Sequence, residues 1–278
     1  MNELWLEPEL KRFLLEDIGY LEIDFGVPAR YITAEIVAGG EGVFCGGRFI
    51  AKLFNLLVPP EIRPLQMIHC EPEGAEFKKG TILASFRVNA EALRHGTRTV
   101  LNLLTHLTAI ATRTREVVKE LQNFSVTLLD TRKTTPGLRI FEKYAVRVGG
   151  ASNHRMGRFD GILIKKEDIK IDGGIRNAVE KACRKKAYLV AVSVEIETLE
   201  ELGEALGDKR VTHLLVDNPS IELLQRTVER CASTHIIEAS GVGKLDLREV
   251  AATGVHYISL SSLILGAKTI KMKMRIVS

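Results

Sequence analysis

The spacing of apolar residues changes twice along the first half of the chain, and each change predicts a different kind of structure. Residues 8–20 carry apolar side chains at helical spacing up to Gly19, which predicts a short helix. From about residue 30 to residue 90, short alternating segments punctuated by glycine predict a small α+β domain rich in antiparallel sheet. Residues 91–122 return to helical spacing with a broad apolar face, which predicts two long helical pieces.

Beyond residue 122 the apolar segments become regular. Six apolar segments lie at residues 125–130, 161–165, 188–196, 211–217, 235–240 and 255–260, and amphipathic stretches separate them. This alternation predicts an α/β fold made of parallel βα units. The number and length of the units favour a (β/α) barrel, or an open variant of one, over a doubly wound nucleotide-binding sheet. The sequence also contains no GxGxxG after the first strand and no GxxxxGK[ST].

Composition and charge exclude several classes of protein. The net charge of the 278 residues is only +4, so the chain as a whole is not a polycation that binds nucleic acid. The N-terminal residues lack the apolar region of a signal peptide, and no apolar run reaches the length of a membrane span. The four cysteines form no CxxC pair, which indicates reduced thiols. We therefore expect a soluble, cytoplasmic protein that binds neither nucleic acid nor membranes.

Charged side chains follow five consecutive predicted strands, at the point where each strand ends. Cations follow the first two strands and acids follow the next three, in the order Arg132 and Lys133, Lys165, Glu195, Asp217 and Glu238. Ligands of parallel α/β proteins bind at the carboxyl ends of the strands, because the loops converge there. The cations would receive anionic groups, and the acids would hold Mg²⁺, which prefers carboxylate and phosphate oxygens. The pattern predicts a site for a polyphosphorylated substrate.

Each of these residues also has an ordinary structural interpretation. Glu195 and Asp217 could be strand-end acids that pair with a lysine. Lys165 could be an exposed lysine whose aliphatic stem covers apolar surface. These alternatives stay open when each residue is considered alone.

The densest cluster of positive charge lies in residues 131–155, with seven cationic side chains if a protonated His154 is counted. It could form a solvated helix face, a nucleic-acid patch or a pocket for a small anion. No nucleic-acid-binding module accompanies it, which weakens the second interpretation. The helical spacing of its middle, Arg139 to Arg147, favours a solvated face there. Its two ends, Thr131–Lys133 and His154–Arg155, are predicted to lie in loops and to form the pocket.

The same stretch resembles a known family. Residues 130–155, DTRKTTPGLRIFEKYAVRVGGASNHR, are similar to the signature of the quinolinate phosphoribosyltransferases, also called nicotinate-nucleotide pyrophosphorylases. The resemblance extends from about residue 8 to the end of the chain, and includes LIK at 163–165, VEIET at 194–198, LVDN at 215–218 and EASG at 238–241. A chance match of this length and specificity is not credible.

The resemblance implies two domains and a reaction. Residues 1–105 would form an N-terminal α+β sandwich and residues 106–267 an open-faced (β/α) barrel, with a strand in residues 268–278 that returns to the first domain. The family reaction joins quinolinate to 5-phosphoribosyl-1-pyrophosphate with Mg²⁺. It releases pyrophosphate and CO₂ and yields nicotinate mononucleotide for NAD biosynthesis. The resemblance also implies a homodimer, or a dimer-based hexamer, whose active sites are shared between subunits.

Carried over residue by residue, the resemblance assigns a site. The substrate-binding residues would be Arg98 from the partner subunit, Thr131, Arg132, Lys133, His154, Arg155, Lys165, Glu195, Asp217, Ser240, Gly241 and Ser261. The cations and His154 would meet the carboxylates of quinolinate, and the backbone around Ser240 and Gly241 would hold the 5′-phosphate. The catalytic residues would be Lys133, Lys165, Glu195 and Asp217. Of these, Glu195 and Asp217 would hold Mg²⁺ and the ribose hydroxyls.

The sequence departs from the family pattern at several positions. These are Thr97 for Glu, Thr108-Ala109 for Ser-Gly, Lys166-Glu167-Asp168 for Asp-Asn-His, Val242 and Ser261 for glycine, and residues 20–33 in place of a Gly-Asp-[Ile/Leu]-Thr motif. A side chain in place of glycine hinders the close approach of backbone to phosphate. Two alternatives therefore stay open. One is a paralogue that uses another carboxylated ring, such as nicotinate, and the other is a non-catalytic binder of an anionic small molecule.

Overall fold

The computed structural model describes residues 3–25, 29–184 and 186–277. It divides the chain into two compact units, Met1–Arg113 with Ala267–Ser278, and Thr114–Gly266. This division and the predicted boundary at residues 105–106 both fall within one helix, α3 (Ala90–Leu121), which contributes residues to both units. Residues 26–28, in the segment that replaces the family's Gly-Asp motif, lie outside the described residues.

The first unit is built on a four-stranded antiparallel sheet. In spatial order its strands are β12 (Met272–Ile276), β1 (Tyr31–Ala38), β5 (Ile82–Asn89) and β3 (Gln66–Cys70). Side chains of β1 are alternately half-buried and buried, because successive residues of a strand point to opposite faces. A shorter antiparallel pair, β2 (Gly42–Val43) and β4 (Glu76–Phe77), completes the strands described in this unit.

Three helices accompany the sheet, namely α1 (Glu3–Ile18), α2 (Gly47–Asn55) and α3. The helix predicted from Pro8 begins earlier, at Glu3, since a buried stripe formed by Leu6, Leu10 and Leu14 runs through it. The two helical pieces predicted over residues 91–122 are a single helix, so that prediction is wrong. Gly96 does not interrupt α3, because it packs closely on Phe54, where a Cβ would come within 2.8 Å of the ring.

The second unit contains a six-stranded parallel sheet. Its strands in chain order are β6 (Thr127–Leu129), β7 (Ile162–Ile164), β8 (Val192–Ile196), β9 (His213–Asp217), β10 (Ile236–Ser240) and β11 (Tyr257–Ser259). Their spatial order is β6-β11-β10-β9-β8-β7, so the first two strands in the chain form the two edges. The predicted α/β fold, with an antiparallel first domain and an open (β/α) barrel, is confirmed.

Helices connect the strands of the second unit. They are α4 (Arg139–Gly149), α5 (Lys166–Asp172), α6 (Ile175–Cys183), α7 (Leu199–Leu206), α8 (Ile221–Cys231), α9 (Leu247–Ala252) and α10 (Ser262–Leu265). In β8 and β10, fully buried residues alternate with half-buried ones. This period of two places Glu238 and Ser240 on one face of β10, opposite Ala239. Glu238 and Ser240 therefore share one side of the sheet.

Candidate active site

The second unit contains a cavity of about 270 Å³ at the carboxyl ends of its parallel strands. Its lining residues are Thr131, Arg132, Lys133, His154, Arg155, Leu163, Lys165, Glu195, Leu215, Asp217, Glu238, Ser240 and Ser259. Most of the predicted site residues are thus brought together, from both ends of the basic stretch and from four strands. Arg98, Gly241 and Ser261 are not among the lining residues.

The acidic side of the cavity comes from adjacent strands. Glu195 lies near the end of β8, and Asp217 ends β9, which pairs with β8. Burial raises the pKa of Glu195, and the neighbouring Asp217 carboxylate raises it further, whereas Lys165 opposes the shift. The Lys165 ammonium lies 3.6 Å from the Glu195 carboxylate, so this pair is an ion pair that faces the cavity.

Asp217 is held by the residue that follows it. Asn218 has a left-handed backbone, with φ 48°, and its side-chain amide donates to the Asp217 carboxylate over 2.8 Å. The Asn218 backbone N–H also donates to the carbonyl of Ser240, over 3.0 Å. Gly241 follows with φ +72°, and a Cβ there would lie 2.8 Å from the Asn218 nitrogen. The turns after β9 and β10 therefore interlock, and Gly241 supports the site through Asn218.

The cationic side comes from the loop after β6 and from His154–Arg155. Arg155 donates to the Gly161 carbonyl over 2.8 Å, which fixes its guanidinium. Burial lowers the pKa of Arg155, and the positive charge of Arg132 lowers it further. Two guanidinium groups that repel each other in this way form a favourable place for a small anion.

The middle of the basic stretch is not the solvated face that its helical spacing favoured. In α4, Arg147 is exposed and Arg139 is half-buried, whereas Lys143 is only 1% exposed. The Arg139 guanidinium donates to the Arg132 carbonyl and to the Met156 carbonyl. It therefore joins the loop after β6 to the loop that carries His154 and Arg155. The periodicity predicted the helix, but it could not show which of its cations the fold would bury.

Lys143 forms a completely buried ion pair with Asp130, the last residue before the cationic loop. Asp130 also accepts hydrogen bonds from the Asn153 side chain, over 2.6 Å, and from the His154 backbone N–H, over 2.8 Å. Lys143 in turn donates to the His154 carbonyl over 2.8 Å. The ion pair therefore fixes the backbone of the loop that carries His154, through both the N–H and the carbonyl of that residue.

The sequence pattern placed Glu238 among the strand-end acids, but the residue-by-residue assignment of the site left it out, together with Ser259 and these supporting residues. Two signals were present in the sequence. Glu238 lies two residues before Ser240 and therefore on the same face of its strand, and Asp130 directly follows an apolar strand. The contacts of Lys143 and Asn153 join residues far apart in the chain, which no local pattern reports.

The departures from the family pattern occupy ordinary structural positions. Val242 is completely buried, and Ser261 precedes α10, so neither side chain lines the cavity. Thr97 donates to the Leu93 carbonyl one turn earlier in α3. Lys166 pairs with Glu197 over 2.5 Å at the protein surface. The substitutions at 242 and 261 thus leave the cavity itself open.

The structure also bears on metals and membranes. Within residues 3–25, 29–184 and 186–277, no three His, Cys, Asp or Glu side chains are arranged to hold a metal ion. Glu195 and Asp217 repel each other and supply two carboxylates, which suits Mg²⁺ that is also held by substrate phosphates and water.

Among the helices in the described part of the chain, none is both long and apolar enough to cross a membrane.

Comparisons with known proteins agree on one family. The family model for the quinolinate phosphoribosyl transferase C-terminal domain matches residues 110–275, and the model for its N-terminal domain matches residues 19–108. The chain is 40% identical over 279 residues to the probable nicotinate-nucleotide pyrophosphorylase (carboxylating) of Bacillus subtilis, covering 99% of this chain and 94% of that protein. It is 33% identical over 265 residues to the nicotinate-nucleotide pyrophosphorylase (carboxylating) of Mycobacterium leprae, covering 91% of each.

A solved structure agrees with these sequence matches. The crystal structure of nicotinate-nucleotide pyrophosphorylase from Ehrlichia chaffeensis superposes with a TM-score of 0.88 at 28% identity, covering 99% of this chain and 100% of that one. The resemblance found in the sequence is therefore confirmed across both units. With two domain models that together match most of its length, the chain belongs to the quinolinate phosphoribosyl transferase family.

Proposed function

We propose that the protein transfers the phosphoribosyl group of 5-phosphoribosyl-1-pyrophosphate to quinolinate with decarboxylation. The products are nicotinate mononucleotide, pyrophosphate and CO₂, and the reaction serves NAD biosynthesis. The names of the relatives and the domain models support this activity. The observation that carries it is a cavity in which a cationic wall faces acids at the ends of adjacent strands.

The cationic wall suits the acceptor. Quinolinate is a dianion, and guanidinium groups bind carboxylates through two parallel hydrogen bonds. Arg132, Lys133 and Arg155 all line the cavity, and the buried support beneath them fixes the loops that carry them. Rigid carboxylate binding would place the ring nitrogen for attack on the ribose, and such positioning can supply much of the rate acceleration.

The acidic wall suits the donor. Cleavage of the bond between ribose C1 and pyrophosphate leaves negative charge on pyrophosphate and builds positive charge on the ribose. Lys165 lies where it can stabilise the first, and the Glu195 and Asp217 carboxylates stabilise the second. Bound Mg²⁺, held by Glu195 and Asp217 together with the donor's own oxygens, would neutralise the leaving group.

Loss of CO₂ follows from the product of the first step. When the ring nitrogen bonds to ribose C1, it becomes a cationic pyridinium nitrogen. The bond between ring C2 and its carboxylate then breaks, CO₂ leaves, and the electron pair stays on C2 next to this cation. A proton then replaces the carboxylate. The chain needs only to hold the ring and exclude competing orientations, so we assign no residue as an obligatory base.

We further propose a cytoplasmic homodimer, or a larger assembly of dimers, in which Arg98 of one subunit completes the site of the other. The family resemblance motivates this proposal. Arg98 supports it because its side chain is exposed on α3 and so is available to another subunit. All four cysteines are free thiols, which agrees with a reducing compartment.

A product assay tests the proposed function. The protein is incubated with 5-phosphoribosyl-1-pyrophosphate, Mg²⁺ and either quinolinate or nicotinate, and nucleotide, pyrophosphate and CO₂ are measured. We expect all three products with quinolinate. Nucleotide without CO₂ from nicotinate alone would instead identify a paralogue with another acceptor. Calorimetric binding of quinolinate with no product would identify a non-catalytic binder, and either result would overturn the proposal.

A further inference from the structure

The Arg139 guanidinium lies between the two loops that form the cationic side of the cavity. Its Nε donates to the Thr134 hydroxyl over 3.0 Å, one terminal nitrogen donates to the Met156 carbonyl over 3.1 Å, and the other donates to the Arg132 carbonyl over 3.4 Å. Each of the three nitrogens therefore has its own acceptor. Because a guanidinium is planar and rigid, these acceptors are held at fixed distances from one another.

These hydrogen bonds act next to the residues that carry the charge of the cavity. On the loop after β6, one acceptor is the carbonyl of Arg132 itself. On the other loop, the acceptor is the carbonyl of Met156, which directly follows Arg155. The side chains of Arg132 and Arg155 both line the cavity. Arg139 therefore joins the backbone of one cavity cation to the backbone beside the other.

Each of the two loops also has an anchor of its own. The Glu142 carboxylate, which is completely buried in α4, accepts from the Thr135 backbone N–H over 2.9 Å. On the other loop, the Met156 backbone N–H donates to the Asp160 carboxylate over 2.7 Å. Each loop is thus ordered by its own contacts, and the hydrogen bonds of Arg139 set how far apart the two loops lie.

Arg139 holds the loops together against electrostatic repulsion. Burial lowers the pKa of Arg155, and the nearby positive charge of Arg132 lowers it further. Two cations that repel each other would move apart if their loops were free, and their combined attraction for one small anion would then fall. The hydrogen bonds of Arg139 oppose this movement, because each is made by a charged donor and is costly to break.

We propose that Arg139 is a positioning residue that fixes the separation of Arg132 and Arg155, so that one ring dianion binds to both loops. This inference deepens the proposed function and rests on it for the identity of the dianion. Quinolinate carries its two carboxylates on neighbouring ring carbons, so the distance between its negative charges is fixed. Cations that are already held at the required separation need no rearrangement when it binds, which favours affinity.

Calorimetric binding of quinolinate, with no donor and no turnover, tests this inference. Arg139→Met removes the charge and all three hydrogen bonds, whereas Arg139→Lys keeps the charge but loses the planar fork. We expect both variants to raise the Kd for quinolinate by about tenfold, as for loss of a hydrogen bond to a charged group. Arg147→Met is the matched control, because Arg147 is an exposed cation on the same helix. Its Kd should stay within about twofold of that of the unaltered protein.

The effect of Arg139 should be confined to the acceptor. The proposed donor site, with Lys165, Glu195 and Asp217, lies at the ends of other strands. We therefore expect the Kd for 5-phosphoribosyl-1-pyrophosphate with Mg²⁺ to change by less than about threefold in Arg139→Lys, since no contact of the donor is removed. A purely structural role would weaken the binding of both substrates. Thermal melting shows whether each variant is folded.

A milder substitution covers the case in which neither Arg139 variant folds. Thr134→Val removes one acceptor of the guanidinium and leaves the two carbonyls. We expect it to raise the Kd for quinolinate by about threefold, because one neutral acceptor is lost. An unchanged Kd in folded Thr134→Val would contradict the inference.

Crystal structures of the folded variants without ligands show the separation directly. We expect a longer distance between the guanidinium carbons of Arg132 and Arg155 than in a crystal structure of the unaltered protein. An unchanged distance would overturn the inference, and so would undiminished binding of quinolinate by Arg139→Lys, which would show that only the charge matters. Equal losses for quinolinate and for the donor would also overturn it. If the unaltered protein did not bind quinolinate, the proposed function would fail, but the crystal structures would still decide whether Arg139 sets the separation.

Discussion

Lys143 and Asp130 form an ion pair that is withdrawn from solvent, and together they bind both the N–H and the carbonyl of His154. Neither group touches the cavity itself. Their burial is unusual for charged side chains, which are almost always paired when they are fully buried. The pair therefore links the stability of the barrel to the shape of the candidate active site.

Removal of Lys143 should destabilise the protein strongly. Lys143→Met leaves the buried Asp130 carboxylate without a counter-charge, which typically costs about 3–5 kcal/mol. We expect a loss of this size in the free energy of unfolding, measured by urea denaturation at neutral pH. In the matched double variant Asp130→Leu/Lys143→Met, no unpaired charge remains, so most of the stability should return while activity stays low. A loss below about 1 kcal/mol in the single variant would contradict this account.

The stability lost in Lys143→Met should depend on pH. Burial raises the pKa of Asp130, and Lys143 is the main influence that lowers it, so the substitution should raise this pKa further. An acid whose pKa is higher in the folded protein binds its proton more tightly there, so folding is favoured as the pH falls towards that pKa. The stability difference between the unaltered protein and Lys143→Met should therefore shrink between pH 7 and pH 5. An equal or larger difference at pH 5 would show that Asp130 is not the unpaired charge.

Binding of the ring acid should depend on Arg132. We expect Arg132→Ala to raise KM for quinolinate by about 30-fold or more, since truncation of one partner of a desolvated charge pair costs about 2 kcal/mol or more. Arg147→Ala is a matched control, because Arg147 is exposed on α4 and does not line the cavity. Steady-state kinetics with varied quinolinate measures both. Similar effects of the two substitutions would indicate a general electrostatic influence and not a specific contact.

The turn at Gly241 should affect the donor more than the acceptor. Alanine at this position must adopt a positive φ and press on the Asn218 backbone, which would displace Asp217. We expect Gly241→Ala to raise KM for 5-phosphoribosyl-1-pyrophosphate by about tenfold, as for loss of a hydrogen bond to a charged group, with a smaller change for quinolinate. Gly243→Ala is the control, since a Cβ at Gly243 would meet open space. A larger effect on quinolinate than on the donor would contradict this division of the site.

The fold was largely predictable from local patterns. Strand and helix periods predicted six βα units after residue 122, and the structure places all six strands in one parallel sheet. A prediction failed where one spacing of apolar residues is compatible with two structures. The apolar stretch over residues 91–122 became one helix, because Gly96 fits against Phe54 and does not break it. The strand expected in residues 268–278 from the family resemblance is present as β12 beside β1, a pairing of opposite ends of the chain that no local pattern reports.

For the candidate site too, local patterns predicted some residues and missed others. Residues at strand ends, such as Lys165, Glu195 and Asp217, could be selected from sequence, because parallel strands direct their carboxyl ends to one edge. Residues within α4 could not. Arg139, Lys143 and Arg147 share one helical spacing, yet only contacts with distant residues decide which of them is buried.

The amino-acid sequence alone determined the order of elements, the family and the chemical character of the site. It did so because hydrophobic period and motif spacing are local properties of the chain. Tertiary structure decided the surroundings of each basic side chain. Lys143 is paired with a buried acid, Arg139 joins two loops, and His154 is held between an amide and Glu238. The environment of a basic side chain depends on partners from other parts of the chain, and only the folded protein brings them together.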